Sequence, residues 1–156
     1  MINFKNKNIL ITGASGGIGK ELVKKFVSLG GNVLGSGTKI EKLDLLKKQY
    51  PNIKVKKFDM AEDSKIKDFI DSVTLELGGL DILINNAGIN MDNLSLRMKD
   101  EEWKKVININ LTFSAMFIVI SEAINPGETQ LTVIFFLAYS MARLFDIPII
   151  PDLEAE

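Results

Sequence analysis

Apolar residues recur along this chain in two alternating rhythms. Short β-rich runs, NILIT (8–12), NVLGS (32–36), IKVKKF (53–58), DILIN (81–85) and LTVIFFLA (131–138), are each bounded by turn-forming residues. Between them lie stretches with helical spacing. From Gly17 to Leu29, the side chains of Ile18, Leu22, Val23, Phe26 and Val27 share one side, and Gly30-Gly31 ends the run. Thr38-Lys39-Ile40-Glu41 reads as a capping box, opening a helix that continues through Gln49 and stops at Pro51. A third helix starts at Asp63 or Ser64 and ends at Gly78-Gly79. A fourth runs from about Asp100 into the 120s, halted at Asn125-Pro126-Gly127. Strands alternating with helices of this length imply right-handed βαβ crossovers and a parallel, helix-covered sheet.

Composition narrows the classes. The chain has 156 residues, 46% apolar and 25% charged, with no repeat or linker, so one globular domain is expected over residues 1–156. A formal net charge of −1 leaves no electrostatic footprint for nucleic acid. With no Cys and no His, neither thiolate nor imidazole metal sites nor Ser-His-Asp chemistry can be built, and no metal is expected. The longest apolar stretch, LTVIFFLAYSMA, is 12 residues, against the ~20 of a membrane helix. The apolar run near the N-terminus is too short for a signal peptide, so a cytoplasmic location without membrane attachment is expected.

Candidate chemistry begins where the first strand meets the first helix, at TGASGGIGK (12–20). Gly13 permits a tight turn, Gly17 lets a pyrophosphate approach the backbone, and Gly19 lets helix and strand pack closely. The N–H groups of the helix start would face the phosphates. A nucleotide-triphosphate loop is a poor match, because Ala14 stands where its first Gly belongs and Glu21 where its hydroxyl belongs. The fold class is therefore read as α/β: a Rossmann-like doubly wound parallel sheet of about five strands, order 3-2-1-4-5, with its crevice between the first and fourth. An NAD-preferring site carries an acid at the end of the second strand. Here Ser36-Gly37-Thr38-Lys39 offers none, so NADP is expected over NAD. Thr38 and Lys39 are either contacts to its 2′-phosphate or plain helix-start residues.

With TGASGGIG, DILINNAG (81–88) and RMKDEEW (97–103) in order, the chain resembles the short-chain dehydrogenase/reductases. Within them it is most similar to the bacterial reductases of 3-oxoacyl-[acyl-carrier-protein], over residues 1 to about 117. The resemblance implies NADPH-dependent reduction of 3-oxoacyl thioesters in fatty-acid synthesis, with an acyl-carrier-protein thioester as partner. It implies that Gly13, Ser15 and Ile18 belong to a phosphate loop, that Asp59 and Met60 hold the adenine, and that Asn86, Ala87 and Gly88 lie under the nicotinamide ribose. It also implies that Asn110 is the Asn of an Asn-Ser-Tyr-Lys tetrad. Gly16 departs from NADP-using relatives, which often carry Arg there.

Residues 118–156 depart from the family pattern. LTVIFFLAYS places Ser140 at a strand end, as the tetrad Ser or as an ordinary hydroxyl. Tyr139 and Arg143 copy a Tyr-x-x-x-Lys spacing, but they abut the strand instead of riding the next helix, and Arg cannot give up its proton. Pro148 and Pro151 oppose a helix there. The expectation is a sheet truncated to about five strands, in which catalysis is doubtful. A dinucleotide-binding module without turnover is one alternative. An interaction protein, whose exposed apolar segment 111–138 finds a partner or aggregates, is the other, and a homo-oligomer is possible.

Overall fold

The structure is a computed structural model that describes residues 3–89, 99–112 and 132–135. Its elements run β1 (Asn8–Ile11), α1 (Gly17–Ser28), β2 (Asn32–Gly37), α2 (Ile40–Gln49), β3 (Lys54–Lys57), a 3₁₀ turn (Asp63–Lys65), α3 (Ile66–Leu77), β4 (Ile82–Asn85), α4 (Asp100–Ile107) with a π-helical turn (Asn108–Thr112), and β5 (Thr132–Phe135). The five strands form one sheet in the order β3-β2-β1-β4-β5, and every pairing is parallel. This is the expected order.

Parallel strands covered on both faces alternate their side chains between two cores. Ile9, Ile11, Val33, Ile82 and Ile84 face α1 and α2, where Leu22, Val23, Phe26 and Leu46 meet them. Leu10, Leu34 and Leu83 face the other way, onto Ile66, Phe69, Ile70 and Val73 of α3. Each such fully buried Leu or Ile is stabilised by roughly 1.5–3 kcal/mol relative to exposure. In α1 the buried positions are Gly19, Leu22, Val23 and Phe26, the side that the apolar spacing marks. Gly78, left-handed at φ 80°, caps α3 where Gly78-Gly79 was expected to stop it.

One cap differs from expectation. Helix α2 starts at Ile40 with Lys39 as its N-cap and no side-chain capping bond. Thr38 sits one residue too early, so Glu41 falls at the second helical position instead of the third and the reciprocal box cannot close. The corresponding bond occurs at α4, where the Glu102 carboxylate accepts from the Lys99 backbone N–H at 2.9 Å. At the N-terminal end of the sheet, the Asp81 carboxylate accepts from the Asn8 backbone N–H (2.8 Å) and the Lys7 ammonium (2.9 Å), tying β4 to β1. Burial pushes Asp81 upward, but these two donors outweigh it and hold the carboxyl below its ordinary range.

Candidate functional site

A cleft of about 460 Å³ opens at the C-terminal ends of the strands, where the order reverses between β1 and β4. Four strand exits build it. The β1 exit contributes Thr12, Gly13, Ser15 and Gly16, and the start of α1 adds Gly17, Ile18 and Gly19. The end of β2 contributes Ser36, Gly37 and Thr38; the β3 exit contributes Phe58, Asp59 and Met60. Asn86, Ala87, Gly88 and Ile89 follow β4, and Ile109 closes one side.

The glycine turn has steric reasons for its sequence. Gly13 has φ 64°, and a Cβ there would lie 2.9 Å from the Ala87 Cα. A Cβ on Gly19 would stand 2.2 Å from the Gly13 carbonyl oxygen. Only glycine lets α1 come this close to the turn. Helix α1 is capped by Gly16, which has no side chain to offer its first N–H groups, and no acid stands in the first turn. Those N–H groups and the positive end of the helix face the cleft, an arrangement suited to an anion.

Thr12, which the sequence reading passed over, is the hub of the site. It is 1% exposed. Its hydroxyl donates to the Ile84 carbonyl at 3.3 Å and accepts from the backbone N–H groups of Asn86 (3.1 Å) and Ala87 (2.9 Å). The Asn86 amide nitrogen donates back to the carbonyls of Thr12 (3.0 Å) and Gly13 (3.2 Å). Asn86 therefore spends its side-chain N–H groups locking the two strand exits together. The signal that could have found Thr12 is its place, as a β-branched hydroxyl residue directly between a buried strand and Gly13.

Asn110 holds the other end of the same segment. It lies in the π-helical turn, and its amide brackets one residue: Oδ1 accepts from the Ile89 N–H and Nδ2 donates to the Ile89 carbonyl, both at 2.9 Å. A Cβ on Gly88 would come within 3.0 Å of Asn110 Oδ1, so glycine makes room for this clamp. π-turns inside α-helices frequently mark functional positions.

The cleft collects Gly13, Ser15, Gly17, Ile18, Gly19, Thr38, Asp59, Met60, Asn86, Ala87 and Gly88, eleven of the expected cofactor-binding residues. Lys39 is not on its wall; it caps α2 with an exposed side chain. Among the described residues Asp59 is the one acid lining the cleft, and its Oδ1 accepts from the Ala61 N–H at 2.9 Å. Ser140, Tyr139 and Arg143 lie outside the described residues. A Tyr-x-x-x-Lys spacing does exist at Tyr50 and Lys54. Tyr50 ends α2 and packs on the core, however, while the Lys54 ammonium binds the Glu76 carbonyl, and neither residue lines the cleft. Among the described residues no group of three or more His, Cys, Asp or Glu is placed to hold a metal ion, and no helix is long and apolar enough to cross a membrane.

A parallel sheet wound both ways around a glycine turn, with its cleft at the switch point, defines the doubly wound dinucleotide-binding class. The chain belongs to the short chain dehydrogenase family, whose profile matches residues 7–131. It is 37% identical over 112 residues to the 3-oxoacyl-[acyl-carrier-protein] reductase of Escherichia coli, covering 71% of this chain and 46% of that one. The same enzyme from Rickettsia typhi is 42% identical over 125 residues, covering 80% of this chain and 49% of the relative. The chain thus spans about half the length of these relatives. Among solved structures, a short-chain dehydrogenase/reductase (glucose/ribitol dehydrogenase) from Brucella melitensis superposes with a TM-score of 0.73 at 26% identity, covering 78% of this chain and 53% of that one.

Proposed function

We propose that the cleft holds a nicotinamide dinucleotide, NADPH in preference to NADH, within a single domain. We further propose that the chemistry of its lineage is reduction of 3-oxoacyl thioesters carried on acyl-carrier protein, in the cytoplasm. The observation that carries this is the convergence of four strand exits on one cleft, with an unobstructed helix N-terminus at one end and a clamped Ala87-Gly88-Ile89 floor at the other. A bound nicotinamide would supply a hydride. Gly13, Ser15, Gly17, Ile18 and Gly19 would seat the pyrophosphate on backbone N–H groups. Asp59 and Met60 would receive the adenine, and Thr38 would face the 2′-position, where no acid repels a phosphate. Asn86 and Thr12 would keep Ala87 and Gly88 level under the nicotinamide ribose. Asn110 would act as a positioning residue by fixing Ile89, with Ser140 as the hydroxyl for the substrate oxygen.

A second reading, cofactor binding with little turnover, is favoured by one observation. Four residues after Tyr139, where a Tyr-x-x-x-Lys would put its lysine, stands Arg143. General acid catalysis contributes roughly 10²–10⁴-fold and needs a donor within reach of the substrate oxygen. Fluorescence titration with NADPH and NADH tests the binding, and tighter binding of NADH sinks the stated preference. NADPH oxidation with acetoacetyl-CoA tests the turnover. The expected result is slow oxidation, indifferent to Tyr139→Phe; fast oxidation abolished by that change would restore Tyr139 as the acid.

A further inference from the structure

Charge is not spread evenly along this chain. Residues 39–57 hold seven lysines and two acids, a formal charge of +5, so the other residues together carry −6. The fold gathers this segment at one margin of the sheet, where β3 is the outermost strand and α2 packs against it. Two of the lysines are engaged by α3: Lys54 binds the Glu76 carbonyl, and Lys56 pairs with the Glu76 carboxylate at 3.2 Å. Lys39, Lys42, Lys47, Lys48 and Lys57 are exposed and make no ion pair among the described residues. Helix α2 buries Leu43 and Leu46 but leaves Leu45 61% exposed. Lys42, Leu45 and Lys48 follow at three-residue spacing, so they form one stripe along the solvent side of the helix. None of these residues lines the cleft.

We propose that this stripe docks an acidic amphipathic helix of a partner protein, with Leu45 as the apolar anchor and Lys42 and Lys48 as its charged flanks. The lysines alone would meet any polyanion, but three features select a protein. Leu45 gains nothing from a phosphate, whereas an apolar side chain laid on it removes its surface from water. Glu41, one turn before Leu45, and Asp44 stand among the lysines and repel a phosphate backbone. The segment also holds no arginine, whose planar fork suits phosphate best. A helix repeats its side chains at the same three- to four-residue spacing. Two of its carboxylates can therefore meet Lys42 and Lys48 while an apolar residue between them covers Leu45. The +5 margin steers an acidic partner to this face, and the negative remainder of the chain turns it away from others.

The test is fluorescence anisotropy of a labelled helical peptide, with glutamates flanking a leucine stripe, titrated with the whole chain. Poly-glutamate and a DNA duplex are the comparators. Leu45→Gln should weaken the peptide by about tenfold, the scale of burying part of one leucine, and leave poly-glutamate unchanged. Lys42→Gln combined with Lys48→Gln should weaken the peptide about fivefold and flatten its salt dependence. Lys104→Gln combined with Lys105→Gln removes the same charge from exposed positions of α4 and should change nothing. All these positions are exposed, so circular dichroism should show the fold intact. Absence of saturable peptide binding to the unsubstituted chain overturns the proposal, as does equal weakening by the α4 pair. DNA or poly-glutamate bound as tightly as the peptide would make the margin a general polyanion site and also overturn it. A dimer in sedimentation that Leu45→Gln dissolves would put a second copy of this chain there instead.

Discussion

Replacing Thr12 by valine tests how the two strand exits are held. The substitution keeps the branched shape, so the packing of a 1% exposed side chain is preserved and the change isolates the hydroxyl. Three hydrogen bonds to that oxygen disappear. The Asn86 N–H retains a second acceptor in the Ile84 carbonyl at 3.0 Å, whereas among the described residues the Ala87 N–H has the Thr12 hydroxyl alone. Losing three hydrogen bonds of about 0.5–1.5 kcal/mol each, one of which leaves the half-buried Ala87 N–H without its partner, costs about 1–3 kcal/mol. A central value of about 2 kcal/mol corresponds, in a chain of this length, to a melting temperature lower by about 4–8 °C. Circular dichroism melts of the purified chain, Thr12→Val and Thr12→Ser measure it. Serine keeps the acceptor and loses one methyl, so it should recover more than half of the deficit. If valine is as stable as threonine, or serine falls as far as valine, the hydroxyl does not hold the β4 exit and the account of the site fails with it.

Other substitutions probe separate links. Gly19→Ala puts a Cβ 2.2 Å from the Gly13 carbonyl oxygen, backbone that cannot swing aside, and should cost about 3 kcal/mol, the upper end of the usual overpacking range, together with NADPH binding; a urea midpoint equal to the parent would refute the packing argument. Asn110→Ala removes both bonds to Ile89 at an exposed position, so stability should fall by no more than about 1 kcal/mol. Amide hydrogen exchange at Ile89 should nevertheless accelerate clearly, and unchanged protection there would contradict the clamp. Asp81 is held below its unfolded value of about 3.9, so its contribution is fully present above that pH and is lost as pH falls through the lower folded value. The stability advantage of the parent over Asp81→Asn should therefore be constant from neutral pH to about pH 5 and shrink below about pH 4. An advantage that persists unchanged in acid would show that the carboxylate charge is not what ties β4 to β1.

What the chain announces about itself is local. Strands 8–12, 32–36, 53–58 and 81–85 are legible within a residue or two, because alternation into two cores demands apolar side chains on both faces of a parallel sheet. The glycine turn is legible because positive φ and close backbone approach each exclude a Cβ, so the residue type records the geometry. The capping box failed because the pattern Thr38 to Glu41 does not say which residue leaves the helical region, and Lys39 does. Side-chain partners were not readable at all. Asn86 could equally have faced a ligand; instead its amide turns to the carbonyls of Thr12 and Gly13, 74 and 73 positions away in sequence. Asn110 was legible as a site residue by resemblance, but not as a clamp on Ile89, because that contact exists only once α4 returns beside the β4 exit. Phe58 likewise looks like a strand-end hydrophobe until the sheet and α3 bring Phe69 beneath it. Periodicity records which face of an element is buried, since that is a property of neighbouring residues. Which atoms then meet depends on the register β1 takes against β2 and β4, and those pairings form only in the folded sheet.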